Sequence, residues 1–460
     1  MNNLNSNEKT ITTPRVLLID TNRWALSSRL AIGLSEAGCH VSALCPMPGH
    51  SLSRTRAVRR VVPYSGVRPV ESLIAAIETV DPEIIVPCCE RSLGHLHELY
   101  ARCQSNMSRN RAVAALIERS LGDPSSYSVV SRRFELLKLA SEEGVRVPRI
   151  SRVDAPEQLE AWRTQEPFPW VLKADGTWGG GGVKIVRTAD EVSRAFNELA
   201  RMFRLRRAVK RLFVNRDTFE LRSWWKRKQH AVSVQSYIHG RPANCAVVAW
   251  NGRVLAGFGV EVVQSDGATG PANVVRVVDN SEMMLAAERI AARLRLTGFF
   301  GLDFVIDDGS GTAYLIEMNP RTTPLCHFRL GRGRDMVGSF WSQLSGQPYL
   351  EAPAIVQSEL IAYFPQPKSS DSLLLHHCFH DVPQGEPELV QELLRPFPNR
   401  TLLFRVFEWL SRRRSGRYRD EEHGEDSLDQ VKDWREAEHA CVRTPVTAVD
   451  SDLSLDKTVR

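Results

Sequence analysis

The sequence predicts an α/β fold at the N-terminus and an α+β fold after it. Three stretches carry that reading. From Val16 to Cys88, short apolar runs alternate with segments of helical spacing, the pattern of a small doubly wound parallel sheet. Residues 301–321, GLDFVIDDGSGTAYLIEMNPR, set two apolar runs around a Gly/Asp/Ser cluster, which signals a β-hairpin. Residues 170–186 set two further strands, WVLKA and VKIV, on either side of a run of four glycines.

In chain order, residues 1–13 are polar and read as a flexible tail. VLLID (Val16–Asp20) is a buried parallel strand. Helical spacing of Trp24, Leu26, Leu30 and Leu34 follows and stops at Gly38. VSALC (Val41–Cys45) is a second strand; a basic segment, a helix over Val70–Val80 and a third strand, IIVPC (Ile84–Cys88), come next. The first turn, Asp20-Thr21-Asn22, lacks G-x-G-x-x-G spacing, so no nicotinamide cofactor is predicted. Such units bind ligands at the carboxyl ends of their strands. Glu90 is therefore a candidate substrate contact, weighed against a solvated loop carboxylate. Cys88-Cys89 reads as a strand end rather than a redox pair. Ser128–Gly144 is an amphipathic helix, and a boundary near residue 126 separates an α/β domain over 14–125 from a second domain over 126–346.

Within the second domain, Trp170–Ala174 and Val183–Val186 are strands and Asp190–Ala200 is a helix. Residues 201–230 interleave basic and aromatic side chains. They read as a solvated helix face leading to a half-buried strand, or as a surface for single-stranded nucleic acid. Val232–Gly240 is a strand. Cys245–Trp250 and Arg253–Phe258 form a hairpin around Asn251-Gly252. A loop at Gly267–Pro271, a strand at Asn273–Val278 holding Arg276, and a helix at Met283–Leu294 lead to the hairpin at 301–321, and a helix around Phe340–Leu344 follows it. Residues 347–411 read as an extension, with a strand inside Pro353–Pro367 and a short helix at Leu402–Leu410. Residues 412–460 are charged and aromatic-poor and read as disordered. His376-His377-Cys378-Phe379-His380 fits no common zinc spacing.

The chemistry concentrates in the 301–321 hairpin. Asp303 interrupts the first apolar run and Glu317 the second, with Asn319 two residues on. Side chains two apart on a strand share a face, so Glu317 and Asn319 point the same way, and a turn centred near Ser310 sets Asp303 opposite Glu317. Buried carboxylates demand a positive answer. Their hard oxygens suit Mg²⁺, which takes one or two carboxylates plus substrate phosphates. Pairing with a neighbouring arginine such as Arg321 is the alternative. Upstream, the glycine run leaves backbone N–H groups free to close on an anion, and Lys173 on the entering strand offers a point charge to a phosphate. A flexible hairpin with a chance lysine is the alternative there.

Composition narrows the class. The 460 residues suffice for two to four domains. With 42% hydrophobic and 25% charged residues, the chain is ordinary globular protein. A net charge of +6 is too mild to demand nucleic acid or membrane partners. No apolar run approaches the ~18 residues of a membrane span. The polar first fourteen residues show no secretory leader. Nine cysteines without C-x-x-C spacing fit a reducing, cytoplasmic setting.

These residues resemble the ATP-grasp superfamily. The resemblance covers about Ser131 to Gly346 and is most specific in G-L-D-F-V-I-x(10)-E-M-N-P-R. Carboxylate–amine ligases similar to D-alanine–D-alanine ligase, and the large subunit of carbamoyl-phosphate synthase, share this order of parts. The resemblance implies a Rossmann-like pre-ATP-grasp domain followed by an ATP-grasp fold, two α+β subdomains gripping ATP. It implies that Arg133 and Lys173 touch the phosphates and that Gly179, Gly180, Gly181 and Gly182 form a flap over them. Gln235, Ser236, Tyr237 and Ile238 would border adenine. Asp303, Glu317 and Asn319 would hold two Mg²⁺ ions, with Mn²⁺ admitted in their place, and Arg321 would face the transferred phosphoryl group.

The implied chemistry is ADP-forming. A small-molecule carboxylate becomes an acylphosphate and is then attacked by an amine. Arg276 is a candidate clamp on the carboxylate or acylphosphate, weighed against an exposed structural arginine, and Cys326-His327 reads as pocket lining. The sequence departs from relatives in placing Gly181 where many carry a basic residue, in opening the hinge with Gln235 rather than glutamate, and in the basic segment at 201–230. A grasp-fold kinase and a catalytically silent ATP-binding domain share the same site. A homodimer is admitted as the assembly.

Overall fold

The computed structural model describes residues 13–22, 26–105, 107–175, 182–200, 231–266, 270–349, 359–365 and 372–395. Glycines 179–181, the basic segment at 201–230, residues 267–269, the helix expected at Leu402–Leu410 and the tail at 412–460 lie outside the described residues.

The N-terminal layer runs β1 (Arg15–Ile19), α1 (Leu26–Glu36), β2 (His40–Cys45), β3 (Val58–Pro63), α2 (Pro69–Val80), β4 (Ile84–Pro87), α3 (Glu90–Gln104) and α4 (Met107–Leu121). Its four strands are all parallel in the order β3-β2-β1-β4. Both faces are buried, which is why β1 reads as an unbroken apolar run. Val16 and Leu18 pack with Leu30 and Leu34 of α1, while Leu17 and Ile19 pack with Leu73 of α2 and Leu96 of α3. The expected three strands are four. The missed one, β3, is the edge strand, and its exposed Arg59 and Arg60 hide the β pattern inside a basic segment.

The helix expected over 128–144 is two, α5 (Tyr127–Val130) and α6 (Arg133–Glu142), broken where Arg132 turns extended at φ −128° and ψ 112°. The break makes Arg133 the first residue of α6. A second sheet follows from β5 (Ile150–Val153), α7 (Gln158–Arg163), β6 (Trp170–Ala174), β7 (Val183–Val186), α8 (Ala189–Ala200) and β8 (Val232–Ser236), antiparallel in the order β5-β8-β6-β7. Trp170, Leu172, Ala174, Val232 and Val234 pack on Phe196 and Leu199 of α8. Strand alternation therefore turns Lys173, Ser233 and Gln235 to the opposite face. The strand expected over Val232–Gly240 stops at Ser236, and Gly240 opens the next one.

The third sheet has seven strands. It comprises β9 (Gly240–Trp250), β10 (Arg253–Ser265), β11 (Ala272–Val278), α9 (Ser281–Leu294), β12 (Gly298–Asp307), β13 (Ala313–Asn319), α10 (Met336–Ser345), β14 (Leu360–Ala362), α11 (Ser372–Leu375), β15 (Phe379–His380) and α12 (Pro387–Leu394). The strand order is β13-β12-β9-β10-β11-β14-β15. Asn251 and Gly252 both take positive φ, 48° and 84°, as a tight hairpin between β9 and β10 requires. Helix α9, capped by Asn280, covers one face through Met283, Ala287, Ile290 and Leu294. The other face packs on α1 and α10, joining this sheet to the N-terminal layer. No helix among the described residues is long and apolar enough to cross a membrane.

Gly122 pins the layers together where α4 meets the entry to β12. It sits at φ +93°, and a Cβ there would lie 2.1 Å from the Arg295 carbonyl oxygen and 2.9 Å from the Thr297 nitrogen. Both atoms are backbone and cannot swing away. Gly122→Ala should cost about 3 kcal/mol, read as a lower denaturation midpoint with unchanged denaturant dependence; an unchanged midpoint would refute it.

Candidate active site

The β12–β13 hairpin builds the floor of the site. Asp303 lies opposite Glu317, and Gly301 opposite Asn319. This register depends on a β-bulge, because Phe304 pairs with Leu315 and leaves Ile316 as an extra residue. In an unbroken strand, Ala313, Leu315, Glu317 and Asn319 would share one face. The bulge resets the phase. Ala313, Leu315 and Met318 stay in the core under α9, and Glu317 and Asn319 turn to the face of Asp303. Asn319 Nδ2 donates to Asp303 Oδ2 at 2.9 Å. Burial, then the adjacent Glu317 charge, push the Asp303 carboxyl up to about 6, against the pull of Asn319, Arg321 and Lys173. Two carboxylates held this close need a cation.

Three cationic side chains approach from different elements. Arg133 Nη2 pairs with Glu317 Oε1 at 2.6 Å, while its Nη1 donates to the Ala174 carbonyl at 2.6 Å and its backbone N–H to Asp175. Lys173, buried in β6, donates from Nζ to the Ile316 carbonyl at 3.1 Å, the carbonyl of the bulge residue. Burial pulls the Lys173 ammonium down to about 8, Arg133 adds to that, and Glu317 and Asp303 oppose it. Arg321 is anchored by Glu90, whose Oε1 lies 2.8 Å from Nε and 2.6 Å from Nη2; its Nη1 donates to the Thr322 carbonyl and its Nη2 to Asn319 Oδ1. Glu90 is thus half-buried and paired, and it does not lie in a loop. It is the first residue of α3, and it ties the N-terminal layer to the hairpin.

The face of the second sheet beside Lys173 carries two buried polar atoms with no hydrogen-bond partner among the described residues, Ser233 Oγ and Gln235 Nε2. Ser233 pairs in register with Lys173, and Gln235 with Val171, so all share one face. A buried donor left unpaired is costly. Two of them beside a buried lysine describe the seat of a polar ligand.

Most residues singled out in the sequence converge here: Arg133, Lys173, Asp303, Glu317, Asn319 and Arg321 are linked by the contacts above, with Gln235 on the adjoining face. Gly182 closes back on β6 through its carbonyl, which accepts from the Ala174 N–H. Glycines 179–181 lie outside the described residues. Ser236 ends β8, Tyr237 stacks edge-on to His239, and Ile238 is half-buried in the link to β9. Arg276 is not brought to the cluster. Val275 and Val277 face the α1 side of the sheet, as Asp303 does, and Arg276 between them is exposed on the reverse face, paired with Glu261. Strand parity decides this, and the sequence reading had no register from which to read parity. Among the described residues, no group of three or more His, Cys, Asp or Glu is gathered for a metal, the 376–380 histidines included.

Two residues were missed. Asn244 of β9 lies in register beside Asp303 on the same face. Ser233 was hidden because V-S-V-Q-S reads as an ordinary half-solvated strand. The donor set fits Mg²⁺ with a nucleotide: two carboxylates and an amide oxygen leave positions for phosphate oxygens and water. The unpaired Ser233 and Gln235 atoms fit a polar nucleotide beside Lys173.

Residues 130–324 match the sequence model of the ATP-grasp domain. None of the curated proteins compared with the chain matches it in sequence. Solved structures share the fold. N5-carboxyaminoimidazole ribonucleotide synthetase from Thermus thermophilus, 16% identical, superposes with a TM-score of 0.55 over 75% of this chain and 82% of that one. Biotin carboxylase from Campylobacter jejuni, 15% identical, gives 0.53 over 74% and 73%. The biotin carboxylase domain of Hydrogenobacter thermophilus 2-oxoglutarate carboxylase, solved as a dimer with MgADP, ADP and bicarbonate, is 15% identical and gives 0.52 over 74% and 71%. Match and fold together place residues 130–324 in the ATP-grasp family, behind an N-terminal α/β domain.

Proposed function

We propose that the chain is an ADP-forming ligase that activates a small-molecule carboxylate with Mg-ATP and joins it to an amine. One observation carries this reading. Asp303, Glu317 and Asn319 converge with Lys173, Arg133 and Arg321 on one patch, beside a face with unpaired polar atoms. In this reading Ser233 and Gln235 hydrogen-bond the nucleotide, and Lys173 and Arg133 neutralise its phosphates. Asp303, Glu317 and Asn319 would hold Mg²⁺, which supplies charge neutralisation at the transferring phosphoryl group. Arg321, fixed by Glu90, holds a guanidinium where charge builds on that group. The carboxylate oxygen attacks the γ-phosphorus, ADP leaves, and the acylphosphate carbonyl is attacked by the amine, which loses a proton as phosphate departs.

The test is ADP and phosphate release by the purified chain with Mg-ATP across a panel of amino acids and small carboxylates. Turnover that requires both a carboxylate and an amine, and that Glu317→Gln lowers by about 10²-fold or more, supports the ligase. A stable phosphorylated product would identify a kinase instead. Failure to bind Mg-ATP would overturn the reading.

A further inference from the structure

The segment after Arg321 is suspended between two carboxylates, and only one belongs to the parts described so far. At its start, Glu90 of α3 grips Arg321, and the Thr322 N–H donates to the Pro87 carbonyl. The chain then coils through short turns, with Cys326 N–H to the Thr323 carbonyl and Phe328 N–H to the Leu325 carbonyl. At its far end, His327 Nε2 lies 3.0 Å from Oδ1 of Asp381. Asp381 follows β15, more than fifty residues beyond the end of the matched domain.

The same Asp381 Oδ1 accepts from Arg29 of α1, from Nε at 3.0 Å and also from Nη2. Asp381 is 2% exposed. Burial alone would raise its carboxyl, but His327 and Arg29 outweigh that and hold it below the ordinary value. It is therefore a buried anion compensated by one group from the N-terminal layer and one from the Arg321 segment. The extension grips the N-terminal layer a second time. Glu386 accepts from Thr55 Oγ1 at 3.0 Å and from the Arg56 N–H at 3.2 Å. It also joins the large sheet, with β14 paired to β11 and β15 to β14.

We infer that Asp381 is a positioning residue of the site, and that residues 359–365 and 372–395 form a clasp fixing the 320–328 segment, and through it Arg321 and Asn319, against the N-terminal layer. A surface extension would need none of this. A buried carboxylate held by an arginine from one layer and a histidine from another has two settings, paired or broken, so it locks rather than cushions. Glu90 and Asp381 hold opposite ends of one short segment, and loosening either end frees the other. For catalysis the inference rests on the ligase reading; the placement of the segment does not.

The experiment compares the full chain with Asp381→Asn, His327→Leu and His327→Gln, which keeps an N–H donor. Amide hydrogen exchange of 322–328 is followed without substrate, and ADP formation with it. In Asp381→Asn and His327→Leu, exchange over 322–328 should quicken at least about tenfold while 313–318 stays unchanged. Their kcat should fall at least about tenfold with KM for ATP within about twofold, and His327→Gln should restore both. If Asp381→Asn does not fold, the two His327 variants decide. Unchanged exchange in a folded His327→Leu overturns the clasp. Quickened exchange with unchanged kcat overturns the positioning role. A wild-type chain that makes no ADP would sink the ligase reading and leave the exchange test standing.

Discussion

Lys173→Met should lower ADP formation by about 10²–10³-fold and at the same time make the ligand-free protein more stable at pH 7. Both effects follow from one placement. The ammonium is buried in β6 and pulled down from 10.5 to about 8. At ~1.4 kcal/mol for each pKa unit, holding it charged at pH 7 costs the fold about 3 kcal/mol. Methionine fills the same space without charge. Losing the hydrogen bond to the Ile316 carbonyl takes back about 1 kcal/mol, so the net gain is about 2 kcal/mol, several degrees in Tm.

The sign of the pH dependence gives a check. A lysine whose folded pKa is depressed destabilises the fold below about 8, and the cost fades as pH rises towards 10.5, where the unfolded chain also loses its proton. The stability gap between variant and wild type should therefore be full at pH 7 and close between pH 8 and 10.5. In the proposed ligase, activity should fall about 10²–10³-fold, because the charge that burial makes costly is the one that would neutralise the phosphates. Matched melts from pH 6 to 10 would show it. A variant less stable than wild type at pH 7 would mean that Lys173 pairs with Glu317 and Asp303 strongly enough to outweigh its burial.

What the sequence disclosed and what it hid divide along one physical line. Asp303 and Glu317 were legible because a carboxylate inside an apolar run is anomalous on its own strand, and the turn near Ser310 brings the two runs together, although their final register needs the bulge. Lys173 was legible through the glycines that follow it. The bulge was not, because Ile316 is as apolar as Leu315 and nothing in composition marks the extra residue, yet it alone separates Glu317 and Asn319 from the core face. Strand β3 was masked by Arg59 and Arg60, since an edge strand is free to be charged. For Arg276 the sequence left a clamp and an exposed structural arginine open, because a residue's face follows from its register, here with Glu261, which only the paired sheet supplies. Ser233, Glu90 and Asp381 draw their meaning from distant partners. Asp381 meets Arg29 across 352 positions of chain. Local pattern carries local structure, and contacts of that span leave no trace in it.

Arg321→Lys should be nearly as damaging as removing the side chain, although the charge is conserved. The guanidinium serves three partners at fixed angles: Glu90 through Nε and Nη2, the Thr322 carbonyl through Nη1, and Asn319 Oδ1 through Nη2. An ammonium is a point donor on a flexible stem and cannot span that fork. Whichever partner lysine keeps, the others are left short of a donor in a site where Arg321 itself is 9% exposed. If lysine turns to Glu90, Asn319 loses its anchor and is free to rotate against Asp303. If it turns to Asn319, the Glu90 charge stands unanswered at the start of α3, the sharper penalty for a half-buried carboxylate. We expect stability to fall by about 2 kcal/mol and ADP formation by about 10²-fold or more. Adding Glu90→Gln should recover most of the stability and little of the activity, because it removes the unanswered charge without rebuilding the fork. Recovery of both would show that Arg321 acts only as a strut between the two layers, and recovery of neither would show that the Glu90 contact contributes nothing to holding it.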